Sequence, residues 1–340
     1  MSFQVNIEPS GHRFTVAPDE TVLDAALRHN IGLAYGCRNG TCGSCTGQLL
    51  EGEVEYPSGK TEALEGRPPG ACLLCQAVPR SDLLCRVAEI DRVDEIPPRI
   101  LPCRVVGREQ LAHDVIRLYL KLPEGQRLQF LAGQYLEFIL RDGRKRAFSI
   151  ANPPHDDELI ELHVRHVDGG EFTDHVFSAM ADKEILRIQA PLGRFTLREA
   201  SQRPMIFVAG GTGLAPIKGI IEHAFHTGVH RPMELYWGVR SRRDLYLPDL
   251  PPQWQRERED FRYTPVLSDP DADWDGRRGF VHEAVLQDHP DMSPFDVYLA
   301  GPPVMVQAGL EGFRRAGLGP EHMYSDAFEY AADSAREVTP

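Results

Sequence analysis

Four of the seven cysteines follow a spacing that restricts the fold of the N-terminal part more than any other sequence feature. Three occur within nine residues, as C-x4-C-x2-C, and the fourth follows after 29 further residues: Cys37, Cys42, Cys45 and Cys75. Such a thiolate set is typical of a 2Fe–2S cluster site. A loop that brings three sulfurs to one cluster must turn tightly, and glycine allows the required backbone angles. The loop contains Gly36, Gly40, Gly43 and Gly47.

A structural zinc site is the alternative use of these cysteines. It would combine the pair Cys42 and Cys45 with the pair Cys72 and Cys75. The 26 residues between the two pairs exceed the roughly 15 to 20 that are usual in zinc ribbons, and Cys37 would have no role. We therefore favour the 2Fe–2S cluster. The other cysteines lie in apolar surroundings, which predicts buried, inert thiols: Cys72, Cys85 and Cys103.

The sequence around the cysteines indicates a small domain of strands and one helix. Val5 and Ile7 alternate with polar neighbours, which predicts a strand, and residues 21–27 are typical of a capped amphipathic helix. Through segments 36–45 and 73–76, residues 1 to about 90 resemble a plant-type ferredoxin domain. The resemblance implies a β-grasp fold in which the four cysteines hold the cluster near one surface.

A short polar linker, which contains Pro97 and Pro98, is predicted at residues 93–99. Beyond it, short segments with alternating or β-branched residues predict a small antiparallel barrel. These segments are residues 103–108, 114–121, 134–140, 146–151, 159–167 and 184–190.

Three motifs in this barrel resemble those of ferredoxin-NADP reductase-like flavoproteins. They are Arg146-Ala147-Phe148-Ser149, Gly170-Glu171-Phe172-Thr173 and Pro191-Leu192-Gly193-Arg194-Phe195. The first is similar to R-x-Y-S, the second to a phosphate-binding G-x-x-S/T turn, and the third to the segment that closes the family's barrel. The resemblance implies the following flavin-binding residues: Arg146, Ala147, Phe148, Ser149, His163, Val164, Gly170, Phe172 and Thr173.

The roles that this resemblance implies are chemically reasonable. Arg146 would pair with the flavin pyrophosphate, a contact suited to a guanidinium group. Phe148 would stack on the flavin ring, although it lacks the hydroxyl of the usual tyrosine. Ser149, as a catalytic residue, would bond to the ring near its hydride-accepting nitrogen. Thr173 and the N–H groups of a helix that begins near Phe172 would bind phosphate.

The last third has the pattern of a nucleotide-binding α/β domain. Residues 205–209 are continuously apolar, which predicts a strand buried on both faces of a parallel sheet. The strand leads into Gly210-Gly211-Thr212-Gly213 and then into a helix with Pro216 in its first turn. This order predicts a cradle for a pyrophosphate. Further apolar runs at 233–239, 263–267 and 297–299 alternate with helical stretches and predict a βαβ arrangement.

This segment resembles the nicotinamide domain of the same flavoproteins. Residues 301–305 are similar to the G-P-P-x-M part of a C-G-P-P-x-M motif, and Ala300 replaces its cysteine, which lies near the reacting nicotinamide. Residues 325–328 are similar to a C-terminal segment whose aromatic residue covers the flavin. Phe328 is therefore a second catalytic candidate, with core packing as its alternative role. The implied nicotinamide-binding residues are Gly210, Gly211, Thr212, Gly213, Gly301, Pro302 and Pro303.

The choice between NADH and NADPH depends on the charged side chains that follow two inner strands of the nicotinamide domain. Where NADPH enzymes of the family have a Ser-Arg pair for the extra phosphate, this chain has Ser268-Asp269. Aspartate repels that phosphate, and loss of one charge-assisted hydrogen bond costs about 1.5 to 3 kcal/mol. An alternative phosphate site is offered by Arg240, Arg242 and Arg243. We predict NADH, with NADPH less favoured.

The length of the chain indicates more than one domain. With 340 residues the chain exceeds the roughly 250 to 300 at which one hydrophobic core usually divides. We predict a ferredoxin domain at 1–92, the linker at 93–99, an FAD-binding barrel at 100–200, an NAD-binding α/β domain at 201–332 and a tail at 333–340.

The net charge of −13 makes nucleic acids and anionic membranes unfavourable partners. Since no apolar run of 18 residues and no signal-peptide pattern occurs, we expect a cytoplasmic protein.

The order of the three domains predicts electron transfer from NADH through FAD to a 2Fe–2S cluster, and then to a partner protein. This layout resembles reductases that serve phenol and methane monooxygenases, benzoate dioxygenase and CDP-6-deoxy-glucoseen dehydration. Residues 146–152 and Ala300 favour the deoxysugar branch, in which the partner is a dehydrase. The alternatives are the reductase component of a mono- or dioxygenase, a free flavin reductase and a zinc-ribbon adaptor.

Overall fold

The computed structural model describes residues 2–29, 31–87, 89 and 96–328. They form three main sheets in succession: a mixed five-stranded sheet, an antiparallel six-stranded sheet and a parallel six-stranded sheet. The predicted fold class of β-grasp, antiparallel barrel and parallel α/β domains is confirmed. Residues 93–95 of the predicted linker and the predicted tail at 333–340 lie outside the described residues.

The N-terminal part contains β1 (Phe3–Glu8), β2 (Arg13–Val16), α1 (Val22–Arg28), β3 (Thr46–Glu51), β4 (Val54–Glu55), β5 (Ala71–Leu73), β6 (Val78–Pro79) and β7 (Leu83–Arg86). The main sheet has the order β2-β1-β7-β3-β5, and β1 and β7 run parallel at its centre. Val5 and Ile7 are buried in the core, as their alternation predicted. The strands β4 and β6 form a separate ribbon.

The helix α1 begins where the sequence predicted. The side chain of Thr21 accepts a hydrogen bond of 3.1 Å from the backbone N–H of Asp24, which satisfies one of the open donors of the first turn. The helix ends at Arg28, one residue beyond the predicted segment. Its apolar face packs into the N-terminal core through Val22, Leu23, Ala25 and Ala26.

The three cysteines predicted to be inert are buried. Cys72, Cys85 and Cys103 are each no more than 2% exposed. Burial raises the pKa of Cys103 to about 12, and burial, with a further contribution from Cys72, raises that of Cys85 to about 12. Both thiols therefore stay protonated at neutral pH.

The middle part is the barrel. It contains β8 (Arg99–Ala112), β9 (Val115–Lys121), β10 (Tyr135–Ile139), β11 (Lys145–Ser149), β12 (Ile160–Arg165), α2 (Glu171–Ser178) and β13 (Ile185–Leu192). The sheet order is β11-β10-β13-β8-β9-β12, and an antiparallel bridge between Ile150 and Leu162 closes its two edges. All six predicted strands are present, but β8 is longer than predicted, because it pairs with both β9 and β13.

The C-terminal part contains β14 (Met205–Gly210), α3 (Leu214–His226), β15 (Met233–Val239), α4 (Leu250–Glu257), β16 (Phe261–Leu267), β17 (Arg277–Arg278), α5 (Val281–Asp288), β18 (Asp296–Gly301), α6 (Pro303–Arg315) and β19 (Met323–Ala327). The sheet order is β17-β16-β15-β14-β18-β19, and all pairs are parallel. Every residue of β14 is buried, as expected for a central strand covered on both faces. Within the described ranges, no helix has the length and apolarity needed to cross a membrane.

Candidate functional site

The loop between α1 and β3 directs backbone N–H groups at the predicted ligand sulfurs. The amides of Asn39 and Cys42 lie 3.4 and 3.3 Å from Sγ of Cys37. The amides of Cys37 and Ser44 lie 3.3 and 3.5 Å from Sγ of Cys42. Burial disfavours the Cys37 thiolate, but hydrogen bonds outweigh it and lower the pKa of Cys37 to about 6. The loop therefore stabilises negative charge on sulfur.

The other two predicted cluster ligands are Cys45 and Cys75. Cys45 and Cys75 are both buried, and the interaction between their thiols raises the pKa of Cys45 and lowers that of Cys75. Gly40 has a φ of +86°, and a Cβ at this position would lie 2.3 Å from the carbonyl oxygen of Lys60, so the turn requires glycine. Four converging thiols with amide donors fit a 2Fe–2S cluster.

The structure gives Cys72 a different environment from these four cysteines. It lies on β5 with 1% of its surface exposed, and burial raises the pKa of its thiol, with a smaller opposing effect of the Tyr56 side chain. Cys37, by contrast, lies in the glycine-rich loop beside Cys42. This arrangement favours the cluster over the zinc alternative, in which Cys72 would replace Cys37.

A cleft of about 580 Å³ lies between the barrel and the parallel sheet, a size typical of ligand sites. The predicted residues that line it are Arg146, Ala147, Phe148, Ser149, His163, Gly170, Phe172, Thr173, Gly210, Thr212, Pro302 and Phe328. The others do not line it: Val164, Gly211, Gly213, Gly301 and Pro303. The side chain of Val164 belongs to the barrel core, so any contact with a flavin would have to come from its backbone.

One end of the cleft suits phosphate groups. Arg146 lines it from β11, and Gly170 is the N-cap of α2 with no side chain to cover the first N–H groups of that helix. The hydroxyl of Thr173 lies 3.2 Å from the backbone nitrogen of Val167 and 3.0 Å from the carbonyl oxygen of Gly170. Thr173 therefore fastens the turn, and its predicted phosphate contact would come mainly from the backbone.

Aromatic and acidic groups define another part of the cleft. Phe148 packs against Phe138 and Phe172, with ring centroids 5.7 and 5.4 Å away, so its ring orientation is fixed. Phe328 lines the cleft and belongs to none of the hydrophobic cores formed by the described residues. Cleft lining is thus favoured over core packing for Phe328.

Asp326 is hydrogen-bonded to the predicted catalytic serine. The hydroxyl of Ser149 donates to Oδ2 of Asp326 at 3.4 Å. Burial raises the pKa of Asp326 to about 6, although the hydrogen bond from Ser149 acts in the opposite direction. A carboxyl group with this pKa can take up or release a proton near neutral pH.

The glycine turn after β14 brings the parallel sheet close to the barrel. Gly211 has a φ of +54°, and a Cβ there would lie 2.7 Å from a guanidinium nitrogen of Arg165 on the barrel. A Cβ on Gly213 would lie 2.0 Å from the carbonyl oxygen of Ala300, so α3 can start here only with glycine. The indole N–H of Trp237 donates to the carbonyl of Gly211 at 2.9 Å and fixes the turn.

A buried polar network fixes the barrel against α3. Nε2 of His163 lies 2.8 Å from Glu161, and its Nδ1 lies 3.0 Å from the hydroxyl of Tyr246. Lys218 on α3 reaches the other oxygen of Glu161 at 3.4 Å. Burial opposes ionisation of Glu161, but His163 and Lys218 bring its pKa to about 2. The two walls of the cleft are therefore held by a charged contact with little access to water.

Sequence reasoning missed several residues of the cleft. They include the charged residues Arg165 and Asp326, and the others are Tyr135, Glu137, Lys145, Val167, Ala215 and Ala327. A signal was present for two of them. Arg165 directly follows the predicted pair at 163–164, and Asp326 stands two positions before Phe328.

Comparison with known proteins assigns a domain family to each part. Residues 5–80 match a 2Fe-2S iron-sulfur cluster binding domain, residues 102–197 an oxidoreductase FAD-binding domain and residues 207–310 an oxidoreductase NAD-binding domain. The CDP-6-deoxy-L-threo-D-glycero-4-hexulose-3-dehydrase reductase of Yersinia pestis is 38% identical over 328 residues, which is 96% of this chain and 99% of that protein. The chain belongs to the NAD(P)H-dependent iron–sulfur flavoprotein reductases. The predicted 2Fe–2S, FAD and nicotinamide cofactors of this reductase are thereby confirmed.

Oxygenase systems contain similar reductases. The terephthalate 1,2-dioxygenase reductase component 1 of Comamonas is 35% identical to this reductase, with 96% of this chain and 98% of that protein covered. The crystal structure of the Amycolatopsis cytochrome P450 reductase GcoB superposes with a TM-score of 0.65 at 36% identity and covers 96% of this chain and 98% of its own. The roles of single site residues and the domain boundaries stay predictions.

The residues of the cleft can bind the phosphates of a flavin cofactor, exclude water and hold a proton. An FAD held in this cleft would supply the redox chemistry that links a two-electron hydride donor to one-electron acceptors. Arg146, Arg165 and the start of α2 would bind and orient phosphates, because they present positive charge and N–H groups. Phe148 and Phe328 offer apolar surfaces that exclude water. Ser149 and Asp326 can hold a proton at Asp326 Oδ2.

Proposed function

We propose that this reductase takes electrons from NADH and delivers them singly to a dehydrase that acts on a CDP-linked deoxyhexulose. The observation that carries the proposal is the 38% identity to the Yersinia pestis dehydrase reductase, which extends over 96% of the chain and thus over all three parts. The deoxysugar-like segment at 146–152 and Ala300 support the same partner class.

The preference for NADH is supported by charge at the end of β15 and β16. The guanidinium group of Arg240 lies 3.4 Å from Asp269, and both side chains are exposed. The amide of Asp269 also donates to the carbonyl of Arg240 at 2.8 Å, which keeps the two residues adjacent. Asp269 therefore reduces the positive charge that a 2′-phosphate would require.

An oxygenase component is the second candidate partner. The specific observation in its favour is the similarity to reductases of terephthalate dioxygenase and of an aromatic O-demethylase, at 35% and 37% identity. These values are close to that of the dehydrase reductase, so the partner has to be tested directly.

The test is reconstitution of electron transfer with purified partners. The holoenzyme and NADH would be combined with the Yersinia pestis dehydrase and its CDP-hexulose substrate, or with the oxygenase component of the terephthalate system and terephthalate. We expect NADH consumption and product formation to depend on the dehydrase. Stimulation by the oxygenase alone would establish the second candidate. Stimulation by free flavin alone would establish a flavin reductase.

A further inference from the structure

The cluster loop is attached to the barrel by hydrogen bonds outside the cofactor sites. The amide oxygen of Gln129 accepts from the backbone N–H of Tyr35 at 3.1 Å, and its nitrogen donates to the carbonyl of Leu33 at 2.8 Å. The backbone N–H of Arg127 donates to the carbonyl of Gly36 at 2.7 Å. These contacts join the residues that precede the first cluster ligand to one segment of the barrel.

A buried carboxylate at the same interface adds charge to these contacts. Oδ1 of Asp157 lies 2.8 Å from Arg38 and 3.8 Å from Arg127, and the side chain of Asp157 is only 4% exposed. Arg38 directly follows Cys37 in the cluster loop, whereas Asp157 and Arg127 belong to the barrel. Arg38 also pairs with Asp24 of α1. Asp157 thus connects the cluster loop to the barrel by an ion pair in which the carboxylate is buried and Arg38 is 24% exposed.

The backbone at Arg38 has an unusual conformation. Its φ is +55°, a left-handed conformation that is unfavourable for a residue with a Cβ. The guanidinium group lies 5.6 Å from the ring centroid of Tyr35, so the side chain is held between that ring and Asp157. Contacts between domains of one chain are commonly polar and permit relative motion. An ion pair with a buried carboxylate is screened less than a fully exposed pair and restricts that motion.

The same loop that carries Asp157 connects the two strands of the flavin cleft. It runs from β11, with Arg146 and Ser149, to β12, with His163. Asn152 fixes the loop, because its amide nitrogen donates to the carbonyl of Leu159 at 3.0 Å and its oxygen accepts from the amide of Glu161 at 2.8 Å. The position of Asp157 relative to the cleft is therefore set by the barrel itself.

We propose that Asp157 is a positioning residue for electron transfer inside the chain: through Arg38 it holds the cluster loop in a fixed place relative to the flavin cleft. Asp157 is a positioning rather than a catalytic residue, because it does not line the cleft and its ion-pair partners are Arg38 and Arg127. The proposal concerns transfer from flavin to cluster within one molecule, and it does not depend on the identity of the partner protein.

The test compares Asp157→Asn with Asp156→Asn. Asp156 is the adjacent, exposed carboxylate, so the control makes the same change of charge outside the ion pair. Each holoenzyme would be mixed rapidly with NADH under anaerobic conditions, and flavin and cluster absorbance would be followed separately. We expect flavin reduction by NADH to stay within about twofold of wild type in both variants, and cluster reduction to slow about tenfold in Asp157→Asn only, because small displacements of reacting groups have large rate effects.

A structural readout accompanies the kinetics. Hydrogen exchange at the amide of Tyr35 should be faster in Asp157→Asn than in Asp156→Asn, since the loop would detach more often. Unchanged cluster reduction or unchanged exchange in Asp157→Asn would overturn the proposal. If Asp157→Asn does not fold with both cofactors, Gln129→Leu serves as the second variant, because it removes two hydrogen bonds of the same interface. A normal rate of cluster reduction in that variant would also overturn it.

Discussion

Asp326 illustrates how burial can give an acidic residue a role in proton transfer. The lining of the cleft partly shields its carboxyl group from water, and the only hydrogen bond described for its side chain is the one from Ser149. Burial raises its pKa from 3.8 to about 6, so ionisation of Asp326 is complete only as the pH approaches neutrality. The carboxylate form can then accept a proton that leaves the site during oxidation.

Asp326→Asn is expected to lower turnover with NADH and ferricyanide by about 100-fold, a typical effect of removing a general base. In the wild type, the rate should rise as the pH increases through about 6, because the accepting form is the carboxylate. The variant should show no such rise. The measurement is kcat between pH 5 and 8 at constant ionic strength.

Ser325→Ala is the matched control, since Ser325 is the exposed neighbour on β19. It should retain both the rate and its pH dependence. A pH profile of Asp326→Asn that is identical to that of wild type would show that another group accepts the proton.

Asp269→Arg is expected to shift coenzyme use towards NADPH. The change removes repulsion and adds a partner for the 2′-phosphate, so the ratio of kcat/KM for NADPH to that for NADH should increase roughly tenfold to 100-fold. Asp271→Arg, at an exposed position two residues further on, makes the same change of charge and should alter the ratio little. If the wild type already prefers NADPH, the arginines at 240–243 bind the phosphate and the prediction is wrong.

Some residues of the cluster site and the cleft were predictable from the sequence, and others were not. The cysteines and the glycine turn after β14 are recognisable because a short spacing carries their chemistry. Asp157 is different: its importance arises from Arg38, which lies 119 positions away in the chain. Asp326 likewise meets Ser149 only across a separation of 177 positions. Single-sequence patterns do not reveal such pairs.

Among the secondary-structure elements, α3 shows a pH-sensitive contact with the barrel. The ring of His155, in the loop before β12, stacks on that of His226 with a centroid distance of 3.6 Å and an interplanar angle of 12°. Nδ1 of His155 is buried without a hydrogen-bond partner among the described residues. Burial, reinforced by His226 and His223, lowers the pKa of His155 to about 3. The folded protein thus favours neutral His155.

His155→Phe is expected to make the protein less sensitive to acid. In the unfolded chain His155 binds a proton below pH about 6.5, whereas in the folded protein it does so only near pH 3. Its contribution to stability is therefore present above pH 6.5 and is lost as the pH falls towards 3. Phenylalanine keeps a stacking ring without this titration.

The measurement for His155→Phe is Tm between pH 7 and 5. The decrease in Tm should be smaller in the variant than in wild type, and His230→Phe, at an exposed position, should behave like wild type. An equal or steeper decrease in His155→Phe would contradict the assigned effect of burial.

The elements themselves were largely predictable, because their patterns are local. The cap at Thr21 and the apolar run of β14 marked their elements correctly. The length of β8 was not predictable from its own residues, because its extension from Arg99 to Ala112 depends on pairing with neighbours on both sides.

On the scale of the whole molecule, the barrel contacts both of the other parts. The glycine turn after β14 and the barrel share one cleft, and Arg38 of the cluster loop pairs with Asp157 in the connection between β11 and β12 of that barrel. The purified protein should be brown and contain about two irons and two acid-labile sulfides per chain, because four thiolates hold one 2Fe–2S cluster. A colourless protein with one zinc and no iron would disprove this prediction.

The most direct test of the central claim, that electrons leave through the cluster, is the activity of Cys75→Ser with two acceptors. The variant should lose or weaken the cluster, but hydride transfer requires only the cleft between barrel and parallel sheet. Turnover of NADH with ferricyanide, a small acceptor that takes electrons from flavin, should therefore persist, whereas reduction of cytochrome c should collapse. Cys72→Ser is the control, and it should retain both activities. Persistence of both activities in Cys75→Ser would contradict the claim and show that electrons leave from the flavin.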